Sequence, residues 1–204
     1  MLFDDTYQTI KGPAEGIFRD KGSKFIAYAY PFTNEAELKP ILSKLRTEHA
    51  KARHFCWAFR LGQDRNVFKL NDDGEPSGTA GRPILNSLLS ADVTNILMVV
   101  VRYFGGTLLG VPGLINAYKS ASVEALQASE IIAKTVNDIY EAEFDYLEMN
   151  PVMRIMKEEE LQILEQNFDM KCVLRFEVRK TNLNTVLGKL EKVNGLKVKY
   201  LYTI

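Results

Sequence analysis

The stretch TNILMVVVRYFGG, residues 94–106, is a continuous apolar segment that ends in an arginine, two aromatic residues and a pair of glycines. A strand with one wet face alternates apolar and polar residues, and this segment does not, so we predict that residues 94–103 form a central strand of a sheet. The six residues Ile96 to Val101 are its most apolar part and are too short to cross a bilayer. The glycines after the strand lead to a helix predicted from Pro112 through Leu126.

The chain before this strand predicts three further strands and two helices. Ala14–Arg19 and Ser23–Pro31 alternate as the two arms of a hairpin, and residues 54–61 are rich in strand-forming aromatics. Asn34 is predicted to cap a helix whose apolar residues recur at helical spacing, and Pro83 is predicted as the first residue of another.

The last third predicts a separate unit in the order βαββαβ, the ferredoxin-like or split βαβ arrangement. Its predicted elements are a strand at 139–146, a helix capped by Asn150-Pro151 and ending near Glu160, strands at 161–168 and 171–179, a helix carrying Leu183 to Leu190 and ended by Gly195, and a strand at 196–202. The whole chain is therefore predicted to be an α+β protein with domains at 1–136 and 137–204.

Composition narrows the class of protein. The 204 residues include 46% hydrophobic residues, which excludes global disorder, and 26 basic residues balance 26 acidic ones. A net charge of zero excludes a protein that holds nucleic acid through a general basic excess. The distant Cys56 and Cys172 favour a reducing compartment, and the opening residues 1–5 do not resemble a signal peptide. We therefore expect a cytoplasmic protein with no membrane partner.

Charge is unevenly distributed along the second domain, with an acidic first half and a basic second half. Alternation places Glu141 and Glu143 on the outer face of the first strand, and the topology places that strand between two strands that carry Arg175, Lys197 and Lys199. Cross-strand pairing on a solvated face is the favoured interpretation, with an RNA-binding sheet as the alternative.

Two glycine-rich loops, the first at residues 72–82 and the second at residues 104–113, each precede a predicted helix. They predict a site for a negatively charged group. Glycines allow backbone N–H groups to approach a ligand closely, and a helix N-terminus attracts anions. Arg102 adds a guanidinium that can grip a phosphate or carboxylate with two hydrogen bonds. The spacing matches neither a Walker A loop nor a dinucleotide fingerprint, and a purely geometric turn is the alternative.

The loop DDGEPSGTAGR, residues 72–82, supplies carboxylates, hydroxyls and an arginine ahead of the second helix. A magnesium site on Asp72, Asp73 or Glu75 is conceivable, but solvated turn acids are the favoured interpretation. His54 and Cys56 share one strand face, and packing is favoured there over metal or nucleophile chemistry. The candidate ligand-binding residues are Arg102, Tyr103, Gly105, Gly106, Gly110, Gly113, Glu75, Ser77, Gly78, Thr79, Arg82, Lys24 and His54. We predict no metal site and no cofactor.

At these loops the chain resembles the IMPACT/YigZ family. The matching stretches are KGSKFIA at 21–27, HFCWA at 54–58, DDGEPSGTAGRPIL at 72–85 and VRYFGG at 101–106, continuing through Gly110. Pro112 and Asn116 depart from the family pattern, which has a second glycine and an arginine there. The resemblance implies a first domain similar to ribosomal protein S5 domain 2 and to domain IV of elongation factor G. It implies a second domain similar to domain V of that factor.

The resemblance also implies a function in translation, because eukaryotic relatives are associated with translational control and bacterial members with nucleic-acid or ribosome binding. The first hypothesis is therefore an RNA- or ribosome-associated regulator that binds phosphate groups at the two loops. One alternative is an enzyme acting on a nucleotide or phosphorylated small molecule at the same site. The other is a protein-interaction adaptor. The sequence contains no recognised catalytic constellation, which favours a protein that is not an enzyme.

Overall fold

A computed structural model describes residues 5–168 and 171–204 of the chain. The described residues fall into two compact units. One contains Tyr7–Lys134, and the other contains Thr135–Ile204 together with the short segment that ends at Thr6. The expectation that no signal peptide is present rests on residues 1–5, of which only Asp5 is described.

The first unit is a five-stranded sheet with three helices and an additional strand pair. Its strands are β1 Thr6–Ile10, β2 Ala14–Asp20, β3 Ser23–Pro31, β4 His54–Leu61, β5 Val67–Asn71, β6 Ile96–Tyr103 and β7 Ile131–Thr135. Its helices are α1 Leu38–Glu48, α2 Gly81–Ser90 and α3 Gly110–Gln127. The main sheet has the antiparallel order β2-β3-β6-β4-β5, and β1 pairs with β7. The apolar segment therefore forms the central strand β6, as predicted.

Helices cover both faces of the main sheet. On one face, α2 and α3 pack over alternate residues of the strands, including Phe25 on β3 and Val100 on β6. On the other face, α1 contributes Leu45 to a cluster with Val99 and Phe59. Because successive side chains of a strand point to opposite faces, each residue near the end of β6 belongs to one of these two layers.

The hairpin of β2 and β3 turns at Lys21 and Gly22, as predicted, and both residues have positive φ values, 44° and 82°. This is the backbone geometry of a two-residue hairpin turn. The turn packs against Gly105, where an added Cβ would lie 1.9 Å from the carbonyl carbon of Gly22. Glycine is required at position 105 because the two backbones approach too closely for any side chain.

Asn34 caps its helix as predicted, since its side chain accepts a hydrogen bond from the backbone N–H of Ala36. The first turn, Glu35–Glu37, is a 3₁₀ helix and α1 follows it. Helix α2 begins at Gly81, two residues before the predicted start at Pro83.

The second unit has the predicted order βαββαβ. Its elements are β8 Asn137–Phe144, α4 Met149–Glu158, β9 Gln162–Phe168, β10 Cys172–Arg179, α5 Leu183–Leu190 and β11 Lys197–Thr203. The sheet order is β11-β8-β10-β9, with all neighbours antiparallel. The predicted cap at Asn150 is wrong, because α4 begins at Met149 after a 3₁₀ turn. The predicted stop at Gly195 is also wrong, because α5 ends at Leu190.

Opposite charges meet across neighbouring strands of this sheet, as the sequence pattern predicts. The Nε of Arg175 lies 2.8 Å from Glu141, and its Nη1 lies 2.6 Å from Glu165. The ammonium of Lys171 lies 2.6 Å from Glu143 and lowers the pKa of that exposed carboxyl. Such exposed pairs each contribute little to the stability of the sheet.

Candidate functional site

The first glycine-rich loop, residues 72–80, is held together by its own carboxylates. Asp72 accepts hydrogen bonds from the backbone N–H groups of Gly78, Ala80 and Gly81 at 2.9, 3.0 and 2.8 Å. Gly81 is the first residue of α2, so this side chain occupies the helix N-terminus at which we expected a phosphate. That part of the expected anion site is filled by the protein itself.

Asp73 fixes the same loop to β4 and α1. One of its carboxylate oxygens accepts the backbone N–H of Phe55 at 2.7 Å, and the other pairs with Arg46 at 2.9 Å. These contacts bind both aspartates, and Glu75 is buried in an ion pair with Arg102, so the solvated-turn interpretation is wrong. Among the described residues, no three His, Cys, Asp or Glu side chains gather as metal ligands, and magnesium binding by this loop receives no support.

Arg102 does not present a free guanidinium, and this corrects the expectation from the sequence. Its Nη1 lies 2.5 Å from Oε1 of Glu75, and only 6% of the Arg102 side chain and 4% of the Glu75 side chain are exposed. The pair joins the end of β6 to the first glycine-rich loop. A buried pair of this kind is retained because either charge would be costly alone, so the guanidinium serves the fold before any ligand.

The buried ion pair extends into a hydrogen-bonded network on the α3 side of the sheet. The hydroxyl of Tyr118 donates to the same Glu75 oxygen at 2.8 Å, and the thiol of Cys56 lies 3.3 Å from that hydroxyl. Burial raises the pKa of Tyr118 and of Cys56 well above their ordinary values, which keeps both groups protonated. Packing of Cys56 was the favoured interpretation, and the structure agrees with it.

A cavity of about 430 Å³ opens above this network, between the two loops. Glu75 and Arg102 belong to its lining, together with Arg53 and His54 at the start of β4. The remaining lining residues are supplied by the loops and by the start of α3, and they are Gly74, Pro76, Phe104, Leu108, Leu109, Gly110, Val111 and Leu114. The Nε of Arg102 is buried without a hydrogen-bond partner. The site therefore combines one unsatisfied donor with a largely apolar wall.

The N-terminus of α3 lies at this cavity and has no side-chain cap. The N–H groups of Gly110 and Val111 occupy the first two helical positions and have no partner within the helix, and Pro112 has no N–H. Gly110 is thus placed as predicted, whereas Gly113 is the fourth helical residue and packs against Leu109.

Two basic or titratable side chains of β4 border the same cavity. His54 lies opposite Arg102 in the sheet, and its Nδ1 is 2.9 Å from the carbonyl oxygen of Asp73. Because a carbonyl only accepts, Nδ1 carries the proton and Nε2 is the acceptor in the neutral ring. Arg53 is exposed, and its side chain makes no ion pair with any residue that the structure describes.

Several predicted site residues lie elsewhere. Tyr103 points to the opposite face of the sheet, where its hydroxyl bonds to His49 at 2.8 Å, and Lys24 pairs with Tyr103 across β3 and β6. Gly78 and Arg82 line a separate cavity of about 570 Å³ beside Lys119. The remaining four loop residues outside the first cavity are Ser77, Thr79, Gly105 and Gly106. The two loops thus converge, but through fewer residues than the sequence predicts.

The exposed apolar residues of the second glycine-rich loop and of the start of α3 were not predicted from the sequence. Phe104, Leu108 and Val111 have 47%, 82% and 52% of their surface exposed. They could have been found from the sequence because they are apolar residues among glycines. No helical or strand periodicity there predicts that they belong to a core. Tyr118 was also missed, and its signal is a hydroxyl-bearing residue four positions after the buried Leu114 on α3.

Comparison with known proteins gives consistent matches. The Impact N-terminal domain matches residues 21–126. An IMPACT family member of Haemophilus influenzae is 34% identical over 84% of this chain and 79% of that protein. The IMPACT family member YigZ of Escherichia coli is 33% identical over 80% of this chain and 81% of its own length. A crystal structure of a hypothetical protein superposes with a TM-score of 0.73 at 28% identity, covering 97% of this chain and 98% of that one.

Proposed function

The chain belongs to the Impact family, and from that membership we propose that it regulates translation by associating with the ribosome or with structured RNA. Family membership is the observation that carries the proposal, because the resemblance implies translational control for this family. The proposal includes a cytoplasmic location. Among the described helices, none has the length and apolar character needed to cross a membrane.

The proposed contact is with phosphate groups at the 430 Å³ cavity. Two features support this position: the uncapped start of α3 at Gly110 and Val111, and the exposed guanidinium of Arg53. Helix N-termini and arginines are common partners of nucleic-acid phosphates. Arg102 contributes through its field and its unsatisfied Nε, since its Nη1 is already paired with Glu75.

The finer fold classes form part of the same proposal. The antiparallel five-stranded sheet flanked by α1 on one face and by α2 and α3 on the other supports similarity to ribosomal protein S5 domain 2. The order βαββαβ and the sheet order β11-β8-β10-β9 support a ferredoxin-like second domain. Both support the proposed domains 1–136 and 137–204, with the second similar to domain V of elongation factor G.

Sedimentation with ribosomes from the protein's own source tests the proposal. We expect the wild-type protein to sediment with ribosomes at low salt, and each phosphate contact to weaken binding about threefold between 50 and 200 mM salt. Arg53→Ala should reduce the bound fraction, whereas Lys39→Ala should not. Lys39 is the matched control because it is an exposed base on α1, on the opposite face of the sheet. If the protein fails to sediment with ribosomes at every salt concentration, the proposal is contradicted.

A protein-interaction adaptor is the second candidate, favoured by the exposed apolar side chains of Phe104, Leu108 and Val111. Exposed apolar residues that lie together beside a cavity are typical of a protein-binding surface. Binding driven by apolar contact withstands raised salt, whereas binding to phosphates does not. Sedimentation that is unchanged at high salt and lost on Leu108→Ser therefore favours the adaptor.

A further inference from the structure

The cavity beside α3 combines a cationic side, an apolar side and two acceptors, the half-buried His54 and the buried Glu75. Its volume of about 430 Å³ falls within the range of pockets that bind small molecules, about 300–1,000 Å³. The formal charges of Arg53, Arg102 and Glu75 sum to one positive charge. A ligand that carries a single negative group next to a flat apolar body matches this balance.

The anionic end of such a ligand has defined partners. The N–H groups of Gly110 and Val111 are unsatisfied at the start of α3, and the exposed Arg53 lines the same cavity. The second, independent observation is the Nε of Arg102, which is buried without a partner in a side chain that is only 6% exposed. A phosphate here would meet positive potential from the start of α3 and from Arg53, whereas the charge of Arg102 is already balanced by Glu75.

The flat end of the ligand has a platform. The ring of Phe104 is 47% exposed, and the guanidinium carbon of Arg102 lies 5.6 Å from the centre of that ring. Leu108 and Val111 extend the apolar surface beside it. Proteins that read single-stranded RNA stack unpaired bases on aromatic rings and guanidinium planes in this way.

His54 and Glu75 supply acceptors in the lining of the same cavity. Nε2 of His54 is left as an acceptor when Nδ1 donates to the backbone, and only one oxygen of Glu75 receives the bonds from Arg102 and Tyr118. Carboxylate and imidazole acceptors pair with the amino groups of bases.

We propose that this cavity binds one unpaired nucleotide, with its phosphate at Arg53 and the start of α3 and its base against Phe104. The inference deepens the proposed function, because it makes single-stranded nucleotides the part of the ribosome or RNA that the protein recognises. The nucleotide comes either from an exposed RNA strand or from a free nucleoside monophosphate.

Fluorescence anisotropy with a labelled eight-nucleotide single-stranded RNA and a duplex of the same sequence tests the inference. We expect the single strand to bind at least tenfold more tightly than the duplex. Phe104→Ala should weaken binding about tenfold or more, and Phe104→Trp should retain it. Phe68→Ala is the matched control, because Phe68 is 49% exposed on β5 and lies outside the cavity.

Competition with adenosine and cytidine monophosphates distinguishes the two sources. Displacement of the labelled RNA by either mononucleotide indicates that a free nucleotide suffices, and its absence indicates that the RNA strand is required. Equal binding of single strand and duplex, or binding that Phe104→Ala leaves unchanged, overturns the inference. If the protein still sediments with ribosomes in that case, the proposed function stands without it. If the cavity binds a mononucleotide but the protein does not sediment with ribosomes, the nucleotide site stands and the proposed function does not.

Discussion

The stability of the first unit should depend on the buried pair of Arg102 and Glu75. We expect it to be lost when one of the two charges is removed and kept when both are removed. Glu75→Leu leaves the guanidinium of Arg102, a side chain that is 6% exposed, without its counter-ion. Arg102→Met leaves the Glu75 carboxylate with the hydroxyl of Tyr118 as its one donor among the described side chains. Breaking a buried pair typically costs about 3–5 kcal/mol, whereas its replacement by apolar residues of similar volume is often neutral or stabilising.

The single tryptophan, Trp57, lies in the first unit, so its fluorescence reports the unfolding of that unit. With a urea dependence of about 2 kcal/mol per M for a domain of this size, each single variant should lower the unfolding midpoint by about 1.5–2.5 M. The double variant should unfold within about 0.5 M of the wild type, because no unpaired charge remains.

The result that refutes this reasoning is a loss below about 1 kcal/mol for both single variants, which would mean that water solvates the pair. The reasoning would also be contradicted if the double variant lost as much free energy of unfolding as the two single variants together. In that case the side chains would matter for their packing and not for their charge.

Three further predictions concern the parts around this pair. Gly105→Ala should destabilise the first unit by about 1–3 kcal/mol in the same urea assay, because its Cβ would overlap Gly22, whereas Gly12→Ala, with no atom within 4 Å, should be close to neutral. Asp72→Ala should cost about 1–2 kcal/mol, since three backbone N–H groups lose their acceptor, and a neutral outcome would show that water replaces it. Burial raises the pKa of Cys56, so a thiol reagent at pH 8 should modify it only as fast as the protein unfolds, and rapid modification in native buffer would contradict the buried network.

The elements with a strong local pattern were predicted correctly. The apolar segment 96–103 and the hairpin around Gly22 carry their periods and turn residues in the sequence itself. Strands β1, β5 and β7 were missed. They are only five residues each, and β5 is mostly exposed at the edge of its sheet, so no alternation marks it as half-buried.

The sequence predicts that the two glycine-rich loops lie together, but it does not predict the contacts within them. Both glycine-rich loops do border one cavity, and His54, Glu75, Arg102 and Gly110 line it. The sequence does not reveal that Glu75 neutralises Arg102, because the two residues lie 27 positions apart and meet only when the folded loop 72–80 reaches the end of β6.

The same limit applies to Asp72 and Tyr103. A turn aspartate is as common in a solvated loop as at the start of a helix, and only the folded loop brings Asp72 to Gly81. The face on which Tyr103 lies follows from alternation along β6, which places it opposite to its neighbour Arg102. The alternation along this strand can be read from the sequence. Tyr103 was nevertheless included among the site residues because it directly precedes the glycine-rich loop.

The central claim is that the partner binds at the cavity where α3 begins, and hydrogen exchange on the ribosome-bound protein tests it most directly. The unsatisfied amides of Gly110 and Val111 should exchange rapidly in the free protein. In the complex, the peptide covering 104–114 should exchange at least tenfold more slowly. Unchanged exchange in that peptide, with protection confined to the sheet of β8, β9, β10 and β11, would contradict the claim.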